Sequence, residues 1–140
     1  TACLAATNTV RCRAPKTASV FCMTDAWLAR LTVAAIFIYH GLVPKLLFRD
    51  ASELQLLDAH GLPHHLLPVA GGGEVLLGLL ILLLRRQRWP LWAAMAALML
   101  LLVDVAIFAP GLLTQAFNPL SLNLAAIALC TIALRNTTTR

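Results

Sequence analysis

Six polar side chains interrupt otherwise apolar stretches and are the groups with chemistry to offer: His40, Lys45, Glu74, Asp104, Asn118 and Asn123. Two carboxylates, an ammonium, an imidazole and two amides can pair as ions, exchange protons or hydrogen-bond an uncharged ligand. If the apolar stretches cross a membrane, a charge at mid-depth costs roughly 2.5–3.5 kcal/mol on insertion scales, so each such group is expected to face the protein interior and find a partner. None belongs to a familiar catalytic motif. Gly71-Gly72-Gly73 has no preceding strand and no following GK[ST], so it is not a phosphate loop. Glu74 and Asp104 have no sugar-binding context. His60, His64 and His65 surround Gly61-Leu62-Pro63 and read as interfacial loop histidines. No metal site is expected, because neighbouring side chains such as His64 and His65 do not face the same way on a helix. Cys3, Cys12, Cys22 and Cys130 show no CxxC spacing, so no thiol redox pair or zinc knuckle is expected.

The elements that must position these groups follow from composition. Of 140 residues, 60% are apolar and only 12% charged, with a mean hydropathy of +0.82. Ordinary domains have roughly 45–50% apolar and about 25% charged residues. Disorder is excluded over most of the chain, and too little polar surface remains for a water-soluble monomer. The net charge of +5 does not indicate nucleic acid, since basic residues stand singly or in the one short run Arg85-Arg86-Gln87-Arg88. The class that remains is a small integral membrane protein.

Four apolar stretches, about 26–47, 66–84, 91–109 and 117–134, each approach the roughly 20 residues a helix needs to cross the hydrocarbon core. They are rich in Leu and Ala and do not alternate, which disfavours strands. The expected fold is all-α, a four-transmembrane-helix bundle over 23–135. A short interfacial helix at Ser52–His60, capped by Ser52 with Gln55 three residues on, lies between the first two spans. Asn118-Pro119 can cap and open the fourth helix. Residues 1–22 read as a flexible tail, or as translated sequence upstream of a start at Met23, and 136–140 as a cytoplasmic tail.

Lys/Arg bias sets the orientation. One side holds Arg30, Arg85, Arg86, Arg88, Arg135 and Arg140, plus Arg11, Arg13 and Lys16 of the tail; the other holds Lys45 and Arg49. Both termini are therefore expected inside, in a bacterial inner membrane, with Trp27, Trp89 and Trp92 at the cytoplasmic interface. On that topology His40, Lys45, Glu74, Asp104, Asn118 and Asn123 all gather in the outer half of the membrane. Small residues mark the expected packing sides: Gly71 and Gly78 on the second helix, Ala93 and Ala97 on the third. The glycine run 71–73 is expected to loosen the second helix before Glu74, at about 1 kcal/mol per glycine relative to Ala.

The segment Tyr39-His40-Gly41-Leu42-Val43-Pro44-Lys45-Leu46-Leu47-Phe48 resembles the DoxX-like family of small bacterial four-helix membrane proteins. The resemblance continues through Gly73-Glu74-Val75-Leu76-Leu77-Gly78, Arg86, Trp89-Pro90 and Phe117-Asn118-Pro119-Leu120-Ser121-Leu122-Asn123-Leu124, covering about 26–134. It bears most directly on Lys45, Glu74 and Asn118. The namesake proteins are membrane subunits linked to thiosulfate:quinone oxidation or other redox complexes. The related disulfide-forming and vitamin-K-reductase-like proteins work through paired cysteines, which this chain lacks. It also has no haem or iron–sulfur ligand set, so the resemblance implies electron transfer only through a partner or a bound quinone.

The expected function is an accessory or quinone/small-ligand-binding subunit of a membrane oxidoreductase system, not catalytic on its own, with the lipid bilayer, an oxidoreductase protein or a second copy as partners. The competing readings are a small multidrug-type transporter, which normally carries a carboxylate in its first helix where this chain has none between Ala26 and Phe48, and a purely structural or assembly protein. In that last case the polar cluster would only fix helix register.

Overall fold

The computed structural model describes residues 16–114 and 118–136, and among them the fold is wholly helical. The order is α1 (Lys16–His40), a π-helical segment (Gly41–Leu47), α2 (Ala51–Ala59), α3 (Leu66–Leu83), α4 (Trp89–Phe108), a 3₁₀ turn (Pro110–Thr114) and α5 (Pro119–Asn136). The first fifteen residues of the expected tail, with Cys3 and Cys12, lie outside the described residues; from Lys16 the backbone is α-helical.

The ends of these helices follow from local chemistry. Pro90 stands in the first turn of α4, where a missing N–H costs nothing. Asn118 Oδ1 accepts from Ser121 N at 2.8 Å and caps α5, with Pro119 as its first residue. The cap of α2 is Asp50, whose Oδ1 accepts from Ser52 N at 2.9 Å. The expected cap at Ser52 is thus corrected by two residues: Asp50 has the extended backbone a cap needs, and Ser52 is already in the first turn. α2 ends in a paired C-terminal turn, with Leu62 N bonding Leu57 O and Gly61 N bonding Asp58 O, both at 3.0 Å. Gly61 takes φ +65°, which an L side chain resists. The glycines at 71–73 do not interrupt α3, which is continuous.

α1 packs against α3 on one side and α5 on the other, and α4 packs mainly on α5. α3 and α4 touch over few residues although they are neighbours in the chain. One end of the bundle is closed by a core of Val33, Ala34, Phe37, Ile81, Leu91, Ala94, Leu98, Ala126 and Cys130. Here Arg30, only 3% exposed, reaches from α1 to the end of α3 and donates to the carbonyls of Ile81, Leu84 and Gln87 at 3.1, 3.2 and 2.9 Å. A buried cation on the unpaired carbonyls of a helix C-terminus satisfies both partners. At the other end the helices separate, and a small apolar cluster of Val105, Ala109 and Leu112 lies under Leu56 of α2.

The packed stripe of α4 is Leu91, Ala94, Leu98 and Val105, at helical spacing. The expected packing face through Ala93 and Ala97 is therefore rotated by about one residue: Ala93 is half-buried and Ala97 exposed. Ala97 instead lines the cavity described below.

Large apolar side chains cover the outside, among them Leu28, Val69, Leu76, Leu83, Leu100, Val103 and Ile107. Such a surface needs a non-aqueous surrounding. Three helical stretches are long and apolar enough to cross a membrane, Asp25–Leu47, Leu66–Leu83 and Trp89–Phe108, and the chain is a multi-pass membrane protein. The fourth expected span is a shorter apolar helix, Pro119–Arg135.

Candidate functional site

The site begins with a proline. Pro44 has no N–H to give to an α-helical partner, and the segment Gly41–Leu47 adopts the wider π turn, with Phe48 N bonding Val43 O at 3.0 Å. In an α-helix, residues five apart diverge by about 140°. The i→i+5 turn closes much of that angle, and His40 and Lys45 line the same cavity.

Two glycines then bring α3 close. A Cβ at Gly71 would stand 2.7 Å from Gly41 O and 2.8 Å from Lys45 Cβ, and one at Gly41 would collide with Gly71 O. A third close approach lies further along, where a Cβ at Gly78 would stand 2.9 Å from Ala34 O. Only glycine permits backbones to meet at this range. Glu74, one turn beyond Gly71, accepts a hydrogen bond from Lys45 Nζ through Oε1. Lys45 is 5% exposed, and its ammonium also lies 3.6 Å from Glu53 Oε1 of α2. One buried cation thus serves two carboxylates from different helices. Burial raises the Glu53 carboxyl above the ordinary carboxylate range, against the pull of Lys45.

Asp104 does not join Lys45. Its Oδ1 lies 2.9 Å from His60 Nε2, while His60 Nδ1 lies 2.7 Å from the carbonyl of Leu56 and the ring stacks on Phe108 with centroids 4.0 Å apart. The Leu56 carbonyl, then Asp104, favour the charged imidazolium and raise the His60 titration. His60, in the turn that follows α2, thus lies against α4 through Asp104 and Phe108. His64 does stand outside, paired with Asp58 at 2.6 Å.

These groups line a cavity of about 650 Å³. Its walls carry His40 and Lys45, Glu74 of α3, Asp104 of α4, Asn123 of α5, and Glu53 and His60 of α2, between Leu56, Leu57, Leu67, Leu77, Leu98 and Leu101. Five of the six polar residues singled out in the sequence meet here. The sixth, Asn118, lines an adjoining cavity of about 600 Å³, next to Asp50 and Ser52, and caps α5. His40, Glu53 and Asn123 border both chambers.

Two buried atoms in the first cavity have no hydrogen-bond partner: Glu74 Oε2, an acceptor, and Asn123 Nδ2, a donor on a residue only 4% exposed. Leaving a buried polar atom unsatisfied costs about 1–3 kcal/mol. Their positions suit a molecule that accepts from the amide and donates to the carboxylate.

Glu53 and His60 were missed as site residues. Glu53, Leu56, Leu57 and His60 stand at spacings of three, four and seven, one face of α2, and all four line the cavity. That periodicity was the available signal.

A family model described as the DoxX-like family matches residues 34–131, which include the π segment, α2, α3, α4 and the cavity-lining part of α5. No curated protein and no solved structure matches the chain. The matched region covers more than half of the 140 residues, and the chain belongs to the DoxX-like family.

Proposed function

We propose that the chain is an accessory, ligand-binding subunit of a membrane oxidoreductase system, and that the cavity beside Lys45 holds a quinone-like head group. The observation that carries this is the pair of unpartnered buried atoms, Asn123 Nδ2 and Glu74 Oε2, in a chamber lined mostly by apolar side chains and otherwise by paired charges. Such a chamber, mostly apolar with a few convergent polar groups, is the usual form of a small-molecule site. Asn123 suits a ring carbonyl, and Glu74 suits the hydroxyl of the reduced ring. A quinone would supply the two-electron chemistry that the side chains lack. Lys45 holds the Glu74 carboxylate in place and Glu53 closes the chamber from above.

In this reading α5 is the fourth crossing. Its eighteen residues measure about 27 Å at 1.5 Å per residue, and it packs on both α1 and α4. Exposed Arg85, Arg86 and Arg88 then mark the cytoplasmic side and Arg49 the outer side of an inner membrane. The site lies in the outer half of the bilayer.

The test is thermal unfolding in detergent with added short-chain ubiquinone. A saturable rise in Tm that disappears in Asn123→Leu supports the reading, because only binding to the folded state raises stability. No rise in the wild-type chain, or an equal rise in Asn123→Leu, contradicts it.

A further inference from the structure

The first cavity is not closed on the side where α3 and α4 part. Its wall there is made of small or exposed residues: Ala70 and Gly73 on α3, Ala97 and Leu100 on α4, all four exposed. A Cβ added at Gly73 would meet nothing within 4 Å. None of these four wall residues is ionisable; Lys45, Glu53, His60, Glu74, Asp104 and Asn123 line the rest of the cavity. On a chain whose outer surface is covered by Leu, Val and Ile, the gap faces the hydrocarbon of the bilayer and not water. Asn123, almost wholly buried and with its amide nitrogen unpartnered, lines the inner wall of the same cavity.

We propose that the gap between Gly73 and Ala97 is a lateral portal, through which a tailed amphiphile with an uncharged or cationic head enters from the membrane. The head reaches Asn123 and Glu74, and the tail lies out between α3 and α4 among lipid chains. The portal accounts for an exposed Ala97 on the cavity lining. The head is not anionic, because neither cation is left over: Lys45 is shared by Glu53 and Glu74, and His60 is taken by Asp104, three carboxylates in all on the lining. An anion there would be brought into a low-dielectric site of its own sign.

The portal rests on the binding reading above, and the experiment separates the two. Association of decylubiquinone, and of the same ring without a tail, is measured by stopped flow on wild type, Gly73→Leu and Gly72→Leu in lipid nanodiscs. Gly72 is the control: its added Cβ also meets nothing within 4 Å, and it does not line the cavity. The expected result is association of decylubiquinone slowed by about tenfold or more in Gly73→Leu alone, with the tail-less ring still bound. Unchanged association in Gly73→Leu overturns the portal, as does equal slowing in Gly72→Leu or loss of both rings. Laurate displacing decylubiquinone as well as a neutral amphiphile overturns the choice of head. Failure of the wild-type chain to bind either ring overturns the binding reading itself, and the portal with it.

Discussion

Lys45 of the π turn donates to Glu74 of α3 at the level where Gly41 and Gly71 bring the two backbones together. The ion pair and the glycine contact depend on each other. Without the glycines α3 stands too far off, and without the pair two carboxylates and an ammonium are left in an apolar setting.

Lys45→Met leaves Glu53 and Glu74 without their cation. Removing one partner of a buried pair typically costs about 3–5 kcal/mol, whereas replacing both by apolar groups can be nearly neutral. Since Glu74 is partly exposed, a loss near the lower end is expected, about 3 kcal/mol. The double variant Lys45→Met with Glu74→Met is expected to recover part of it. Unfolding by titrated denaturing detergent measures both.

Gly71→Ala places a methyl group against Gly41 O and Lys45, and overpacking of this kind costs about 1–3 kcal/mol. Gly72→Ala meets open space and is expected to be neutral or to stabilise α3 by up to about 1 kcal/mol through helix propensity. Opposite signs at adjacent residues, read as Tm in the same detergent, distinguish packing from flexibility.

Arg30→Lys keeps the charge at the end of α3 but not the fork that reaches three carbonyls. A loss of about 1–3 kcal/mol is expected from the carbonyls left unsatisfied. Faster amide exchange over the last turn of α3 and the 84–88 loop would localise it. An exchange pattern identical to wild type would show that the arginine does not hold this end.

The docking of α2 should weaken as pH rises. His60 and Glu53 both titrate above their ordinary values in the folded chain, so each binds protons more tightly folded than unfolded. Their contribution is complete below the unfolded values and is lost as pH passes through the raised folded ones. For Glu53 the loss starts above about 4.3, and for His60 above about 6.5. Amide exchange in α2 should accelerate from mildly acidic to mildly alkaline pH, with a smaller rise in His60→Gln. Exchange that slows with pH after correction for its intrinsic base catalysis would contradict the assignment.

The apolar stretches revealed the helices, and the level of Lys45, Glu74, Asp104 and Asn123 within them pointed to a common site. That was legible because a charge in an apolar span must be internal, whatever the tertiary arrangement. The π turn was not legible in the same way. Pro44 signals a disturbed helix, but the five-residue phase that puts Lys45 beside His40 comes from how the chain accommodates it. Glu53 and His60 escaped because α2 is amphipathic toward a cavity and not toward lipid, and its docking depends on the gap that α4 leaves beside α3. The face of α4 was misread for a related reason: small residues mark close helix contact at Gly71 and Gly78, but at Ala97 they border an opening.

The most direct test is the content of the cavity in protein taken from its own membrane. Wild type and Asn123→Leu are purified in mild detergent, and bound isoprenoid quinone is extracted and measured by absorbance after chromatography. Stoichiometric quinone on wild type and its loss from Asn123→Leu, with the fold of both intact by circular dichroism, is the expected result. Quinone absent from wild type, or retained equally by Asn123→Leu, would contradict a head-group site at Asn123 and Glu74.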